Sequence, residues 1–233
     1  GKTDSTPDPA MIDMFNAMVD EMFEYGRFIL KEKRKNPAND LLSAIANAEI
    51  NGEKLSDEFL DGSWLLIIFA GNDTTRNTMS GGIKLLHENQ EQKEMLINDL
   101  ELLPNFINET VRCVSPVIHM RRTSLEETEI NGQKIGPYEK IALWYGAANR
   151  DPSVFEDPNK FNILRDNADK HLAFGIGRHT CIGKPVALMQ LREFYSQFLT
   201  RFQDFEMNGD WKVAPNNFVH AIQEMPIKYS PEN

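Results

Sequence analysis

Cysteine is scarce in this chain, which has only Cys113 and Cys181 among its 233 residues. The two lie in very different sequence contexts, so no disulfide framework is predicted and a reducing compartment is the expected environment. A structural zinc site is also hard to assemble, because the sequence has no Cys-x-x-Cys pair and no spaced histidine pair. Each cysteine is therefore considered as a single thiol.

Basic residues and long apolar runs are also in short supply. Lysine and arginine number 25 against 35 aspartates and glutamates, and the resulting formal net charge of −10 argues against nucleic acid as the main partner. The longest apolar run, Trp64–Gly71, is far shorter than the roughly 20 residues of a membrane span. No signal peptide opens the chain. We expect a soluble, cytoplasmic protein that forms a single domain over residues 1–233.

A glycine-punctuated loop surrounds the second cysteine. The segment is Phe174-Gly175-Ile176-Gly177-Arg178-His179-Thr180-Cys181-Ile182-Gly183, and a long amphipathic run follows it. The N–H groups of such a loop and the start of a helix both favour negative charge at the sulfur, so Cys181 is suited to being a thiolate. The alternatives are a buried, inert cysteine in an ordinary turn and a zinc site that combines His179 with Cys181.

A second unusual segment lies in the middle of a long predicted helix. Ser56 caps this helix, which extends to about His87, and its apolar stretch is interrupted by Ala70-Gly71-Asn72-Asp73-Thr74-Thr75. A mid-helix glycine costs about 1 kcal/mol, and buried polar groups need partners. Broken local rules inside a regular element usually indicate function. Alternatively, the Asp and Thr side chains bond to a preceding carbonyl and only bend the helix.

A third motif places a carboxylate and a guanidinium three residues apart on a predicted helix that opens at Pro104. Glu109 and Arg112 share one face of that helix, so they can meet and reach a third partner together. A buried pair of this kind is costly to break, at roughly 3 to 5 kcal/mol. The motif is frequent by chance and its expected role is structural.

Together the three motifs resemble those of the cytochrome P-450 family. The loop matches the signature F-G-x-G-x-H-x-C-x-G at every defined position, the mid-helix segment matches A-G-x-D-T, and the helical pair matches E-x-x-R. The resemblance implies a mainly α fold with small β-sheets. Whole members of the family are much longer, so this chain would be the C-terminal, haem-binding portion of the fold, with the N-terminal portion absent.

The resemblance also implies a cofactor, haem b (heme b, iron protoporphyrin IX), and residues that bind it. Cys181 would be the proximal thiolate ligand and thus the metal ligand of the protein. Gly175 and Gly177 would let the loop lie close to the porphyrin, Phe174 would shield the sulfur, and Gly183 completes the signature.

Two basic residues are assigned to haem propionates in the same way. In the family this role belongs to the arginine seven residues before the glutamate of the following hairpin, which selects Arg122 before Glu129. His179 would be the second propionate partner. Arg121 is the alternate to Arg122, and a plain strand-edge charge is the other interpretation. His119 would face substrate or be a satisfied core histidine.

The mid-helix segment would lie on the opposite, distal face of the haem. By resemblance, Ala70 and Gly71 leave room for dioxygen, Asp73 relays protons, and Thr74 donates a hydrogen bond to the bound oxygen. The chemistry needs such a pair because O–O cleavage consumes protons in a site that must otherwise stay dry.

One position departs from the family pattern. The third partner of Glu109 and Arg112, usually arginine or histidine, aligns with Lys160 in Pro158-Asn159-Lys160-Phe161. Lysine lacks the planar fork of arginine, so the network would be looser or completed by another residue. Arg165 is a possible substitute.

The implied activity is haem-thiolate monooxygenation, the insertion of one oxygen atom from dioxygen into a C–H bond of a hydrophobic small molecule. Electrons would come from NAD(P)H through a ferredoxin reductase and a ferredoxin, which would dock where Arg178 and Lys184 provide positive charge. The expected substrates are linear hydrocarbon chains: alkanes, fatty acids, acyclic terpenoids and sterol side chains. The rival interpretations are a haem-binding module without oxygenase activity and an inactive fragment that binds no haem.

Overall fold

The computed structural model describes residues 8–230. The chain divides into two compact units, Gly1–Gly71 and Asn72–Asn233. The single domain predicted for residues 1–233 includes residues 1–7 and 231–233, which lie outside the described residues. Within residues 8–230, no helix combines the length and the apolar character that crossing a membrane requires.

The first unit contains two helices, a short hairpin and the beginning of a third helix. Its elements are α1 (Pro9–Lys35), α2 (Leu41–Asn47), β1 (Glu49–Ile50), β2 (Glu53–Lys54) and α3 (Asp57–Glu88) as far as Gly71. The observed bounds of α3 confirm the long helix predicted from Ser56 to about His87.

The core of the first unit is small. Four buried side chains form it: Leu30, Ala46, Leu60 and Trp64. Gly26 permits the contact between α1 and Trp64, because a Cβ atom there would lie only 2.4 Å from Trp64 Cδ1. Trp64 Nε1 also donates to the Met22 carbonyl at 3.0 Å. Of the 27 residues of α1, only Gly26 and Leu30 are buried, so most of its apolar side chains are exposed.

The second unit is mainly helical, with short antiparallel strands. Its elements after α3 are α4 (Gln90–Asn98), a 3₁₀ turn (Leu100–Leu102), α5 (Leu103–Val114), β3 (His119–Thr123), β4 (Thr128–Ile130), β5 (Gln133–Ile135), β6 (Lys140–Trp144), α6 (Tyr145–Ala148), two 3₁₀ turns (Ala168–Lys170 and Gly177–His179), α7 (Lys184–Arg201), β7 (Glu206–Met207), β8 (Lys212–Val213), β9 (Ile222–Glu224) and β10 (Ile227–Lys228). The predicted fold class, mainly α with small β-sheets, is confirmed.

Every sheet in the described range has two strands, and all pairs are antiparallel: β1 with β2, β3 with β6, β4 with β5, β7 with β10, and β8 with β9. In the β3–β6 pair, His119 lies opposite Trp144 and Thr123 opposite Lys140. The β4–β5 hairpin turns at Asn131 and Gly132, whose φ angles of 49° and 79° fit a type I′ turn.

The core of the second unit lies between α3, α4, α5 and α7, around side chains such as Leu86, Phe106 and Leu199. Helices α3 and α7 approach most closely where the Tyr195 hydroxyl donates to the carbonyls of Thr78 and Met79, at 2.9 and 3.0 Å. Gly82 makes room for this hydroxyl, because a Cβ atom there would lie 2.0 Å from it. The contact anchors the helix that follows the cysteine loop.

Candidate functional site

Two glycines shape the loop that precedes Cys181. Gly175 and Gly177 have φ angles of +70° and +69°, a region that side chains with a Cβ atom adopt only at a cost. At Gly175 a Cβ atom would also lie 3.1 Å from the His179 carbonyl oxygen. At Gly177 it would meet nothing within 4 Å, so only the backbone conformation requires glycine there.

Cys181 is exposed, and most hydrogen bonds of its loop join backbone groups, with one side-chain bond from the Thr180 hydroxyl to the Gly177 carbonyl at 2.9 Å. The Cys181 N–H donates to the Phe174 carbonyl at 2.8 Å, and the Lys184 N–H donates to the Cys181 carbonyl at 3.2 Å. The sequence predicts that N–H groups of the loop point at the sulfur. These two N–H groups bond to carbonyls instead. Helix α7 begins three residues after Cys181, so its positive end still favours a thiolate.

The two alternatives for this cysteine are not supported. An inert, largely buried thiol describes Cys113, where burial and the Glu109 carboxylate raise the pKa to about 11, whereas the Cys181 side chain is open to solvent. Residues 8–230 contain no cluster of three or more histidine, cysteine, aspartate or glutamate side chains suited to a metal ion, so His179 and Cys181 do not form part of a zinc site there.

Phe174 and two neighbours close the inner side of the loop. The Phe174 ring is half-buried and packs against the core, 5.6 Å from the ring of His171. The Lys184 ammonium lies 5.6 Å from the centre of the same ring, within the range of a cation–π contact. Burial and the Lys184 charge lower the pKa of His171 to about 4, so His171 is neutral at physiological pH.

A buried charge network supports the segment that leads into the loop. Glu109 accepts two hydrogen bonds of 2.7 Å from Arg112, and both side chains are fully buried. Arg165 is the third member, with Nε 3.1 and 3.2 Å from the two Glu109 oxygens. Lys160 contributes only its carbonyl oxygen, which accepts from both arginines. The Lys160 side chain therefore takes no part in the network, which is completed by Arg165, the substitute that the sequence offers.

Asn149 joins this network to the loop. The Asn149 carbonyl accepts from Arg112 Nη1 at 2.8 Å, and its side-chain oxygen accepts from the Leu172 N–H at 2.6 Å. Leu172 in turn accepts from the Gly175 N–H through its carbonyl. Burial lowers the pKa of Arg112, but the hydrogen bonds to Glu109 and the charge interactions with Cys113 and Glu109 together outweigh it and the pKa is raised, so the guanidinium stays charged. A permanently charged side chain thus fixes the start of the loop.

Asp73 and Thr74 lie on α3 within the second unit, and both are half-buried. The Asp73 carboxylate accepts from Arg76 at 2.8 Å. Side chains four residues further on bond back to the helix, from Asn77 to the Asp73 carbonyl and from Thr78 to the Thr74 carbonyl. The Asp73 carboxylate thus pairs with Arg76 at the helix surface.

Ala70 and Gly71 belong to the first unit, on the preceding turn of α3, and both are exposed. A Cβ atom at Gly71 would meet nothing within 4 Å. The contacts around Gly71 thus leave open space beside the helix, and the predicted role of this pair in leaving room for dioxygen stays a prediction.

The basic residues predicted to meet propionates lie on β3 and on the loop. Arg122 is half-buried and donates to the Arg121 carbonyl at 2.9 Å, and His179 is exposed at the end of the 3₁₀ turn. Within residues 8–230, neither Arg121, Arg122 nor His179 forms an ion pair with a carboxylate. The two guanidinium groups and the imidazole N–H of His179 are therefore available to an anionic group from outside the described residues.

His119 lies on the same strand and does not fit the interpretation of a satisfied core histidine. Its ring stacks on Trp144 at 4.9 Å and meets Phe218 edge-on at 6.5 Å. Its Nδ1 atom is buried and has no hydrogen-bond partner among the described residues. An unpaired buried nitrogen is uncommon, and such groups often mark sites where a ligand acts.

The β3–β6 sheet lies against the cysteine loop. The Tyr145 N–H, directly after β6, donates to the Ile118 carbonyl at 3.1 Å, and the Tyr145 hydroxyl lies 3.8 Å from the Cβ position of Gly175. This contact brings the strand that carries Arg122 and His119 next to the loop that carries Cys181.

The comparisons with known proteins agree with these motifs. A family model described as Cytochrome P450 matches residues 8–230. This chain belongs to the cytochrome P450 family. It is 38% identical to a steroid C26-monooxygenase of Mycolicibacterium smegmatis over 95% of this chain and 54% of that protein. It is 36% identical to linalool 8-monooxygenase of Pseudomonas putida over 92% of this chain and 53% of that protein.

Solved structures give the same family. Cytochrome P450-153 from Novosphingobium aromaticivorans has a TM-score of 0.84 and 35% sequence identity, over 95% of this chain and 55% of that chain. The P450 chain described here therefore spans about half the length of the relatives it matches and carries part of the P450 fold.

The residues around Cys181 of this P450 fit a haem group in three respects. The thiol is exposed and isolated from other metal ligands, as a single axial ligand must be. Two left-handed glycines without side chains stand beside it, and basic residues without carboxylate partners among the described residues lie on the loop and on the adjoining strand. This chemistry suits an iron porphyrin with two propionates.

Several supporting residues could not be recognised from the sequence. Asn149 gave no signal, because its role depends on contacts to Arg112 and Leu172 that are distant in the chain. Asn77, whose side-chain oxygen accepts from the Ile222 N–H at 2.8 Å, was equally hidden. Gly82 did give a signal, since a glycine inside a helix often marks a close approach, here that of Tyr195.

Proposed function

We propose that the protein is a haem-thiolate monooxygenase that inserts one oxygen atom from dioxygen into a C–H bond of a hydrophobic substrate. The observation that carries the proposal is the exposed Cys181 thiol, held in a P450 loop by two left-handed glycines and belonging to no cluster of three or more metal-ligating side chains among residues 8–230. The family membership and the monooxygenase names of both curated relatives support it.

The proposed cofactor is haem b, which when bound supplies the redox chemistry that activates dioxygen. Cys181 holds the group through its thiolate, and Phe174 covers the inner side of the sulfur. Arg122 and His179 would bind the propionates, because neither side chain has a carboxylate partner within the described residues. Gly175, Gly177 and Gly183 keep side chains away from the face that the group covers.

Asp73 and Thr74 are the proposed catalytic pair. Asp73 is half-exposed and paired with Arg76 at the helix surface, so its carboxylate can exchange protons with solvent. Thr74 follows it directly, and a hydroxyl at that position can pass a proton inward to the reacting oxygen. Ala70 and Gly71, one turn earlier, leave space for dioxygen.

A ferredoxin, itself reduced by a ferredoxin reductase, is the proposed electron donor. Arg178 is exposed beside Cys181, and Lys184 begins α7 next to it, so the cysteine face carries positive charge in a chain of net charge −10. An acidic partner would be steered to this face. The proposed substrates are linear alkyl chains, acyclic terpenoids or sterol side chains, a choice supported by the relatives' names, which specify linalool and C26 of a steroid.

The test is a carbon monoxide difference spectrum of the reduced, haem-loaded chain. We expect the Soret position that indicates thiolate ligation, its loss in Cys181→His, and its retention in the matched thiol control Cys113→Ser. Absence of haem binding would favour an inactive fragment.

Turnover separates the two remaining interpretations. Hydroxylation of a linear substrate by the full-length protein with ferredoxin and reductase is expected to fall strongly in Thr74→Ala. A thiolate spectrum without turnover of any of the proposed substrates would favour a haem-binding module without oxygenase activity.

A further inference from the structure

The second unit contains a cavity of about 350 Å³ that is distinct from the cysteine loop. Its walls come from the C-terminal part of α3, the end of α5, α6 and the β8–β9 hairpin. None of the residues assigned above to the haem or to oxygen lines it. The cavity lies at the lower end of the volume range of small-molecule sites, so it suits a compact ligand.

The cavity opens on a different side of β3 from the proposed haem site. Ile118 lines the cavity, whereas the next residue, His119, turns to stack on Trp144 and Phe218. Successive side chains of extended segments point in opposite directions, so the two sites are separate.

The charges around the cavity are of one sign. Lys84 and Arg150 line it beside the imidazole of His220, and no aspartate or glutamate does so among the described residues, although the chain has a net charge of −10. Lys84 is partly neutralised by an ion pair with Glu88 and lies 4.6 Å from the centre of the Trp211 ring. Arg150 has no ion pair within residues 8–230, so its charge is the strongest unbalanced one.

Arg150 is held in place and still has donors to spare. It donates to the Cys113 carbonyl at 2.7 Å and to the Gly146 carbonyl at 3.2 Å. A guanidinium has five N–H donors, so others remain for a ligand. Burial and the Arg150 charge together lower the pKa of His220, and no carboxylate opposes them, which agrees with a positive potential in the cavity.

We propose that this cavity binds a small organic carboxylate with an apolar body, such as an aromatic or short aliphatic acid. The carboxylate would accept hydrogen bonds from Arg150, and the body would pack on Leu85, Val114 and Trp211. Charge-assisted hydrogen bonds to a guanidinium are the strong ones, so the acid is preferred over a neutral molecule of the same shape.

The bound acid would stabilise the second unit. The cavity wall at Cys113 continues directly into the buried network, because the Cys113 sulfur lies 3.3 Å from Arg112 Nη2. A ligand that binds only the folded chain stabilises it by RT ln(1 + c/Kd) at a free ligand concentration c, and so raises the unfolding temperature as c increases above Kd. The same acid is therefore expected to raise the thermal midpoint of the chain.

The test follows Trp211 fluorescence while benzoate, hexanoate or the neutral analogue benzamide is added to the haem-loaded chain. We expect both acids to change the emission and to bind at least about tenfold more tightly than benzamide. The signal should disappear in Trp211→Phe. The Soret band should stay unchanged, because the acid does not enter the haem site.

Two variants and a control identify the residues. Arg150→Gln should weaken acid binding about tenfold and leave benzamide unaffected. Since Arg150 also supports α5, Val213→Glu provides a second test that repels the acid by charge alone. Lys212→Gln removes a neighbouring exposed lysine that does not line the cavity and should change nothing.

Three outcomes would overturn the proposal. Equal affinities for benzoate and benzamide would remove the role of charge. Unchanged acid binding in both Arg150→Gln and Val213→Glu would place the ligand elsewhere. A Soret shift without a change in Trp211 fluorescence would place it at the haem. None of these outcomes bears on whether the chain is a monooxygenase.

Discussion

The buried charge network and the cysteine loop are two neighbouring parts of the second unit with opposite physical character. Glu109 and Arg112 have no exposed surface, and the network satisfies their charges with Arg165 and with backbone carbonyls. In the loop, Ile176 and Ile182 are 75% and 77% exposed, and the Cys181 sulfur is open. The polar groups of the network are thus paired inside the protein, whereas the loop exposes apolar side chains and a thiol to solvent.

This difference assigns separate tasks to the two parts. The network stabilises the fold without any cofactor, because its members compensate one another inside the protein. The loop is held by its backbone, through two left-handed glycines and bonds such as that from Cys181 to Phe174, so its side chains are available to a ligand. Stability and ligation can therefore be perturbed independently by mutation.

The largest effect is expected in the network. Arg165→Met should reduce the free energy of unfolding by about 3 to 5 kcal/mol, because it leaves part of the buried Glu109 charge uncompensated. Lys160→Met is the matched control, since the Lys160 side chain is exposed and takes no part in the network. It should cost less than about 0.5 kcal/mol. Urea denaturation of the haem-free chain measures both.

The reverse order would contradict the assignment. If Lys160→Met were the more damaging change, the side chain of Lys160 would have to reach Glu109, and Arg165 would be the accessory member. Comparable small losses for both variants would mean that Arg112 alone compensates Glu109.

The same network illustrates what the sequence can predict. The pair Glu109 and Arg112 follows from a spacing of three on one helix, a local rule that the structure confirms. The choice between Lys160 and Arg165 depends on the path of an irregular segment. There, the Asn162 N–H donates to Glu109 at 2.9 Å and turns Arg165 inward. No local rule specifies such a path.

The loop and α3 show the same limit from another side. Gly175 and Gly177 predict a backbone conformation that favours glycine, and both have positive φ. The carbonyl partners of the loop N–H groups depend on how the whole loop folds, which a local pattern does not specify. The apolar pattern of α3 is interrupted at Gly71, and this interruption predicts a functional segment. The structure also places the division between its two compact units there, which a local pattern cannot reveal.

His171 lies between the buried charge network and the cysteine loop and allows a pH test of the comparison between them. Its pKa of about 4 lies below the ordinary value of about 6.5 because it is buried and near Lys184, so the folded chain resists its protonation. The corresponding stability is complete above about pH 6.5 and is lost as the pH falls towards 4. Between pH 7 and 5 the loss should be about 2 kcal/mol. His171→Asn should abolish this part of the pH dependence of unfolding.

Asparagine is the appropriate replacement because its oxygen can accept the hydrogen bond that the Ala173 N–H gives to His171 Nδ1. Any acid loss that remains in the variant comes from other groups. An equally steep loss in wild type and His171→Asn would mean that His171 is already protonated in the folded chain or free to leave its buried position.

The smallest effect is expected at the sulfur itself, where the comparison is sharpest. Cys181→Ser should change the unfolding free energy of the haem-free chain by less than about 0.5 kcal/mol, because the side chain is exposed. Gly175→Ala should cost about 1 to 2 kcal/mol, because its φ of +70° strains an alanine and the added Cβ would meet the His179 carbonyl. Thermal unfolding measures both. A loss above about 1 kcal/mol for Cys181→Ser would mean that the thiol helps to pack the loop. The assignment of stability to the buried charge network and of ligand binding to the cysteine loop would then be wrong for Cys181 itself.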